Sequence, residues 1–463
     1  MERRWKVLIV TAVAVFMSFL DVTIVNVAFP DLEQDFSAAS RADLSWVLNG
    51  YNIVFAALLV PAGRVADLIG RRRMFFIGVW TFLGASVLSG IASSPEMLVG
   101  ARLIQAAGGA ILVPTSLALL LPEFPLESRA TAVAIWGATG AVAAALGPSL
   151  GGVLVDELGW RWVFFVNVPI GLAALVPARG LLRAGPRSSG PLPDALGTGL
   201  LIVAVGALAL GIVKGSEWGW DSARVLGSLG LAAVLLPALL LRSARHRAPV
   251  IDLTLFRTRS FAVANAGMFV FSSAFYALLL AGVLFLTQVW EYSILEAGFA
   301  ITPGPLMAAI AAPPGGRLSD RYGQRVVAVP GALLFAAGTG LLALNMDSTP
   351  DYVVEYLPAQ MLTGAGVGLS FAAWSSAAVA QLPPERFATG SAVLSCLRQI
   401  GAVVGIAVLV AVLDAAPVGD PVAGFTDAWT LMAFGGVTTA AFALALGRVR
   451  ATVPAPPTAE ASA

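Results

Sequence analysis

Apolar residues fill this chain in runs of about 20, the length at which a helix crosses a bilayer, separated by short stretches rich in Arg, Gly and Pro. The runs fall near 7–30, 45–66, 74–92, 97–121, 129–155, 162–182, 194–214, 222–242, 260–289, 297–316, 326–345, 353–381, 387–413 and 427–447. They predict an all-α polytopic membrane protein with fourteen spans, and an even count puts both termini on one side. The first run follows Met1-Glu2-Arg3-Arg4-Trp5-Lys6, a basic start like that of a signal peptide. It is too long for one and lacks a small-x-small cleavage site, so it reads as a retained first helix.

Charge placement agrees with the count. Cytoplasmic loops collect Lys and Arg. With the amino terminus inside, the outer segments hold only Arg41, Arg161, Lys214 and Arg224, while Arg102 and Arg398 lie within helices. The rest of the 28 Lys and Arg then fall on the cytoplasmic side. One helix too many or too few would exchange the sides of every later loop and blur this bias.

The polar breaks also repeat. Gly63-Arg64-Val65-Ala66-Asp67-Leu68-Ile69-Gly70-Arg71-Arg72-Arg73 returns as Gly316-Arg317-Leu318-Ser319-Asp320-Arg321-Tyr322-Gly323-Gln324-Arg325-Val326. Further along, Pro125, Glu127, Ala130, Thr131, Gly147 and Asp156 match Pro383, Glu385, Ala388, Thr389, Gly405 and Asp414 at one constant spacing. These matches pair the fifth run with the thirteenth. Two homologous six-helix bundles separated by two additional helices give that pairing, and parallel duplication of this kind builds transporters with the substrate site between the halves. The expected division is an amino-terminal bundle over 1–183, a linker with two extra helices over 184–259, a carboxy-terminal bundle over 260–449, and a disordered tail over 450–463. Within the linker, 248–260 reads as an amphipathic connector on the inner surface.

Composition narrows the function. The chain is 58% hydrophobic and 12% charged, with mean hydropathy +0.85, against about 25% charged in soluble domains. A net charge of +1 gives no pull toward nucleic acid. One cysteine (Cys396) and one histidine (His246) leave nothing for a disulfide framework or a Cys/His metal site, and little for Ser-His or Cys-His catalysis. An enzyme is not expected, nor a cofactor.

Five stretches resemble the major facilitator superfamily, specifically its fourteen-helix drug/proton antiporters. The segment from Leu20-Asp21-Val22-Thr23 to Asn26-Val27-Ala28-Phe29-Pro30 is similar to that family's first-helix signature, and 63–73 to the superfamily's loop between helices two and three. Arg102 with Gln105 resembles the fourth-helix signature, and Gly147-Pro148-Ser149-Leu150-Gly151-Gly152 the antiporter motif of helix five. Gly159-Trp160-Arg161-Trp162 through Asn167-Val168-Pro169-Ile170-Gly171 resembles the start of helix six. Two positions depart: Leu68 stands where the loop usually has a basic residue, and Ala106 where the fourth-helix pattern has Gly. The resemblance implies proton-coupled export driven by the proton motive force.

Physical chemistry picks out the same residues. Asp21 lies about 21 Å along the first helix at 1.5 Å per residue, inside the hydrocarbon, where an ionisable group is costly and marks function. It is the candidate proton-coupling site. Arg102 keeps its charge at ordinary pH and needs a partner there; Asp21 and Arg102 together form the expected coupling pair. Gly147, Pro148, Gly151 and Gly152 would allow a close, bendable helix contact on the outer side. Gly63, Asp67, Gly70, Arg71 and Arg72, with Gly316, Asp320, Arg321, Gly323 and Arg325, form the expected cytoplasmic gate. Candidate cavity residues are Asn26, Trp46, Asn49, Tyr51, Asn52, Gln105, Trp136, Gln288, Gln360, Trp374, Arg398 and Gln399, amides and aromatics suited to amphipathic molecules. Trp160, Trp162, Trp218 and Trp220 read as interfacial anchors.

The expected protein is thus a multi-pass bacterial cytoplasmic-membrane exporter of hydrophobic or monovalent cationic drug-like molecules. Its partners would be substrate, protons and lipid, and it would work as a monomer; the sequence does not decide whether a periplasmic adaptor joins it. A dedicated exporter of one metabolite, lipid or antibiotic is the alternative. An uptake carrier or a non-transporting sensor fits the buried Asp and Arg less well.

Overall fold

The computed structural model describes residues 2–124, 126–183, 191–382, 386–417 and 420–446. The expected tail, part of the linker and the Pro383 and Glu385 repeat positions lie outside them. A helix stands on each apolar run, since in lipid a helix is the structure that satisfies its own backbone. We number the main helices α1 (Arg3–Val27), α2 (Trp46–Ile69), α3 (Arg71–Gly90), α4 (Pro95–Leu120), α5 (Leu126–Leu158), α6 (Asn167–Leu181), α7 (Ala195–Val213), α8 (Ala223–Arg245), α9 (Arg259–Gln288), α10 (Pro303–Tyr322), α11 (Gln324–Asn345), α12 (Leu357–Val379), α13 (Phe387–Asp414) and α14 (Ala423–Ala445). Among the described residues, twelve helices are long and apolar enough to cross a membrane; α5 and α12 are outside that set.

Local chemistry fixes the helix ends. Ser94 accepts the Met97 N–H ahead of Pro95 at the start of α4, and Ser222 accepts the Val225 N–H at the start of α8. Ser293 and Glu296 form a reciprocal capping box on the short helix Ile294–Ile301 that leads into α10. Gly70 and Gly323, the matched glycines of the repeated loop, end α2 and α10 at φ 110° and 92°. A side chain rarely tolerates that conformation, so both copies turn sharply into the next helix for the same reason.

Helices α1, α4, α5 and α6 pack together, with α2 and α3 against α4; α9, α12, α13 and α14 form a second group with α10 and α11. The repeat is visible in the packing. Gly147 of α5 lies against Thr23 of α1, and its counterpart Gly405 of α13 lies against Ser273 of α9. The two groups meet along two seams, α2 with α13 and α5 with the segment leading into α10. The extra helix α7 packs on both α2 and α13, and α8 packs outside it on α7.

The α7–α8 pair is fastened at each end. At one end the buried carboxylate of Asp194 accepts from Arg242 Nε and the Gly197 N–H, at 2.7 and 2.8 Å. Burial opposes that charge, but the Arg242 guanidinium and Gly197 amide overcome it and hold the Asp194 carboxyl below the usual carboxylate range. At the other, buried Lys214 contacts Asp43 at 2.8 Å and Glu217 at 2.6 Å, tying α7 to the loop before α2. The connector after α8 is not a surface amphipathic helix. Val250, Ile251 and Leu255 are buried, and only a short 3-10 turn, Leu253–Arg257, forms.

Candidate functional site

One face of the molecule is rich in arginine and carries both repeated loops. There, arginines bond the backbone carbonyls that helices leave open at their ends. Arg3 reaches Leu181 O, Arg72 reaches Arg179 O, and Arg259 reaches Ala445 O. Within the first loop Arg71 pairs with Asp67 at 2.8 Å and also reaches Ala118 O of α4. Asp67, Phe76, Ala118 and Arg179, which Arg71 and Arg72 contact, all belong to the first helix group. In the second copy Arg321 lies over the Tyr322 ring, Arg325 is exposed, and the side chain of Asp320 lies outside those described. Gly63 packs near Pro114, whereas Gly316 faces open space.

The opposite face holds the two groups together. Arg41 pairs with Glu33 at 2.7 Å and bonds Gln288 at 3.1 Å, while Gln288 donates to Glu33 at 2.8 Å. Glu33 and Arg41 follow α1, and Gln288 ends α9, so this triad clasps one group to the other. Beneath it an apolar cluster mixes Ile24, Val27 and Phe29 with Leu280, Leu284 and Ile301. The α5 motif closes the flank. Gly151 meets Ile24 of α1, and a Cβ on Gly152 would stand 3.1 Å from Ile294 O. A Cβ on Gly298 would stand 2.5 Å from Pro148 O. Backbone meets backbone there, which only glycine allows.

Between these faces lies a cavity of about 1430 Å³ whose lining extends to Arg64, Asp67, Arg71, Arg247 and Asp252 at the arginine-rich face. Three expected residues line it: Trp136, Gln360 and Arg398. The others lie elsewhere. Gln288 belongs to the clasp. Asn26 donates back to Val22 O within α1, and Asn49 to Ser45 Oγ. Asn52, Gln399 and Trp374 are buried off the cavity, the last against Gly267. Trp46 packs with the apolar cluster shared by α2, α7 and α13. Tyr51 and Gln105 belong to the ion-pair cluster behind the cavity wall. Phe19, Val22, Thr23, Phe275, Tyr276 and Phe371 line the cavity without having been singled out in the sequence. The i, i+3, i+4 spacing of the first three was the available signal.

Asp21 and Arg102 are brought together as expected, but away from the cavity. They form a salt bridge with side chains 0% and 1% exposed. Gln105 Nε2 and Asn167 Nδ2 also donate to Asp21 Oδ1, at 2.8 and 3.0 Å. Gln105 bonds Ser86 Oγ as well, and its Oε1 accepts from Arg102 at 2.7 Å. Arg102 Nε reaches Val47 O, and the guanidinium lies 4.2 Å from the Tyr51 ring centroid. Five helices, α1, α2, α3, α4 and α6, thus converge on one buried ion pair. Asn167 and Ser86 were not among the expected site residues; Asn167 lay within a stretch read only as a family resemblance.

Of the four tryptophans read as anchors, Trp162 and Trp220 are exposed and Trp218 is half-buried. Trp160 is a correction: it is 3% exposed and its indole donates to Asp35 at 2.9 Å.

Paired helix groups around a central cavity, closed at one face and lined to the other, define a membrane transporter of the secondary type. The sequence profile of the Major Facilitator Superfamily matches residues 11–279 and 263–463, and the chain belongs to that superfamily. It is a multi-pass cell-membrane transporter and not an enzyme. It is 36% identical to the multidrug resistance protein Stp of Mycobacterium tuberculosis (strain CDC 1551 / Oshkosh) over 88% of this chain and 75% of that protein. It is 34% identical to the tetracenomycin C resistance and export protein of Streptomyces glaucescens, over 92% and 78%. It is 32% identical to the multidrug export protein EmrB of Haemophilus influenzae (strain ATCC 51907 / DSM 11121 / KW20 / Rd), over 85% and 77%. In fold it is similar to a bacterial homolog of the human lysosomal transporter Spinster, crystallised inward-facing and unoccupied. The TM-score is 0.64 at 17% identity, with 96% of each chain covered.

Proposed function

We propose that this protein exports lipophilic drug-like small molecules in exchange for protons, by alternating access across fourteen spans with both termini in the cytoplasm. In this reading two six-helix bundles rock about the cavity, and the arginine-rich face is cytoplasmic. The observation that carries it is the pairing of a large apolar cavity, closed at one face, with a sealed Asp21–Arg102 ion pair behind its wall. Helix α1 presents Phe19, Val22 and Thr23 to the cavity and Asp21 to the ion pair. Protonating Asp21 would remove the charge that Arg102 is paired with and free α1 to move. Cargo and proton would then compete through opposite faces of one helix. Export directed at antibiotic-like compounds is supported by the chain's similarity to multidrug and tetracenomycin C resistance and export proteins.

The test is purified protein in liposomes with an imposed pH gradient and an internal pH dye. A panel of amphiphiles added to wild type should drive proton flux that Asp21→Asn abolishes. Wild-type flux in Asp21→Asn would place coupling elsewhere, and no flux with any compound would reject proton-coupled export. Several active chemotypes would mark a multidrug pump, and a single one a dedicated exporter.

A further inference from the structure

The charge of the cavity is the opposite of what a cation exporter needs. Among the described residues its lining holds four arginines (Arg64, Arg71, Arg247 and Arg398) and three aspartates (Asp67, Asp194 and Asp252). Each of the three aspartates accepts hydrogen bonds from the protein, although Asp194 Oδ2 is buried without a partner. Asp67 pairs with Arg71, and Asp194 with Arg242 and the Gly197 amide. Asp252 caps the turn that follows it, accepting from the Thr254 N–H and hydroxyl. Asp21 is sealed against Arg102, outside the lining. The described charges of the lining therefore sum to a net positive one, and the carboxylate nearest the middle of the helices, Asp21, is already paired.

Arg398 is the reverse case. It sits about three turns into α13, and its guanidinium lies 5.9 Å from the Phe19 ring centroid. Its Nε is buried with no hydrogen-bond partner, and among the described residues no carboxylate forms an ion pair with it. Ser391 and Ser395 line the cavity on the same face of α13, about two turns and one turn nearer the arginine-rich face. They form a polar track that ends at the guanidinium. Elsewhere in the same lining Phe275 and Phe371 pack edge to face at 5.3 Å. A guanidinium carries its charge at any working pH and presents parallel donors that match a carboxylate. Placed in low dielectric without a protein partner, it favours a ligand that brings one negative charge on an aromatic body.

We propose that the cavity binds lipophilic aromatic monoanions, with Arg398 receiving the acidic group. This specifies the cargo of the export reading and rests on it only for what the cavity is used for. Binding is tested without any proton gradient, so a failure of coupling and a failure of this cargo assignment give different results.

The probes are pyrenebutyrate, its neutral carboxamide and pyrenebutylammonium, which share one fluorescent body and differ in charge. Binding to detergent-purified protein at fixed pH is read from pyrene fluorescence against protein-free micelles. Wild type should bind the anion at least about ten-fold more tightly than the cation, as expected when one charge-assisted pair is gained. Arg398→Gln should lose about that factor for the anion and leave the carboxamide unchanged, and Arg398→Lys should fall between. Tighter binding of the cation, equal binding of all three, no anion binding at all, or an anion affinity indifferent to Arg398→Gln would each overturn the proposal. If Arg398→Gln does not purify as a monodisperse protein, the wild-type ranking and Arg398→Lys still decide it.

Discussion

Arg102 and Arg398 are both arginines set inside membrane helices, and the structure treats them in opposite ways. Arg102 is 1% exposed, and its bonds go to Asp21, Gln105 and the Val47 carbonyl, with Tyr51 beneath its plane. Arg398 is partly open to the cavity and touches one ring. The first has been supplied with everything a buried cation requires. The second has been left with a requirement for something from outside. Intramembrane charge therefore serves two purposes here, one internal to the helix bundle and one directed at cargo.

The largest effect should come from breaking the satisfied arginine. Arg102→Met leaves Asp21 as an unpaired buried charge and should cost about 3–5 kcal/mol, read as a lower unfolding temperature in detergent. Arg398→Met should cost less than about 1 kcal/mol, because no protein partner loses a bond. Similar losses at the two sites would erase the distinction. Next, Asp21→Leu combined with Arg102→Met should recover most of the stability lost by Arg102→Met, since replacing a whole buried pair by apolar groups is close to neutral. Proton flux should not return. Recovery of flux as well would show the pair to be dispensable for coupling.

Smaller losses should follow from trimming the pair's support. Asn167→Ala removes one donor from Asp21 and should cost about 1.5–3 kcal/mol, as for a hydrogen bond to a charged group. Accessibility sharpens the contrast without touching energetics. After Arg398→Cys a charged thiol reagent should label the protein from the arginine-rich face, whereas native Cys396, buried two residues away, should not react. The smallest effect belongs to Asp67→Asn at the half-exposed Asp67–Arg71 pair, within about 1 kcal/mol. Any large change in flux there would report gating and not stability.

The sequence was most legible where physics is one-dimensional. Apolar run length placed the helices, and the repeated Gly-x-x-x-Asp loop marked two matching breaks, each of which ends its helix at a glycine of positive φ. Asp21 and Arg102 were visible as charges where charges are expensive, and their mutual contact followed. Which polar residues face the cavity was much less legible. Asn26 and Asn49 donate back one turn along their own chain, and Gln288 is the last residue of α9, in a clasp with Glu33 and Arg41, although all three look alike as amides in apolar runs. Their roles depend on the rotation of each helix about its axis, which tertiary packing sets. Arg398 stood in the sequence as one cavity candidate among twelve, because its lack of a partner among the described residues is a three-dimensional fact.

The position of α7 bears on how a greasy solute arrives. The two groups of helices meet along two seams, and α7 roofs the α2–α13 seam while α8 lies outside it. Among the described residues no further helix covers the seam between α5 and the segment leading into α10. A molecule diffusing in the plane of the bilayer therefore meets a double wall on one flank and a single joint on the other. The added helices give the protein a handedness toward its surrounding lipid, with one flank two helices thick and the other a single glycine-sealed joint.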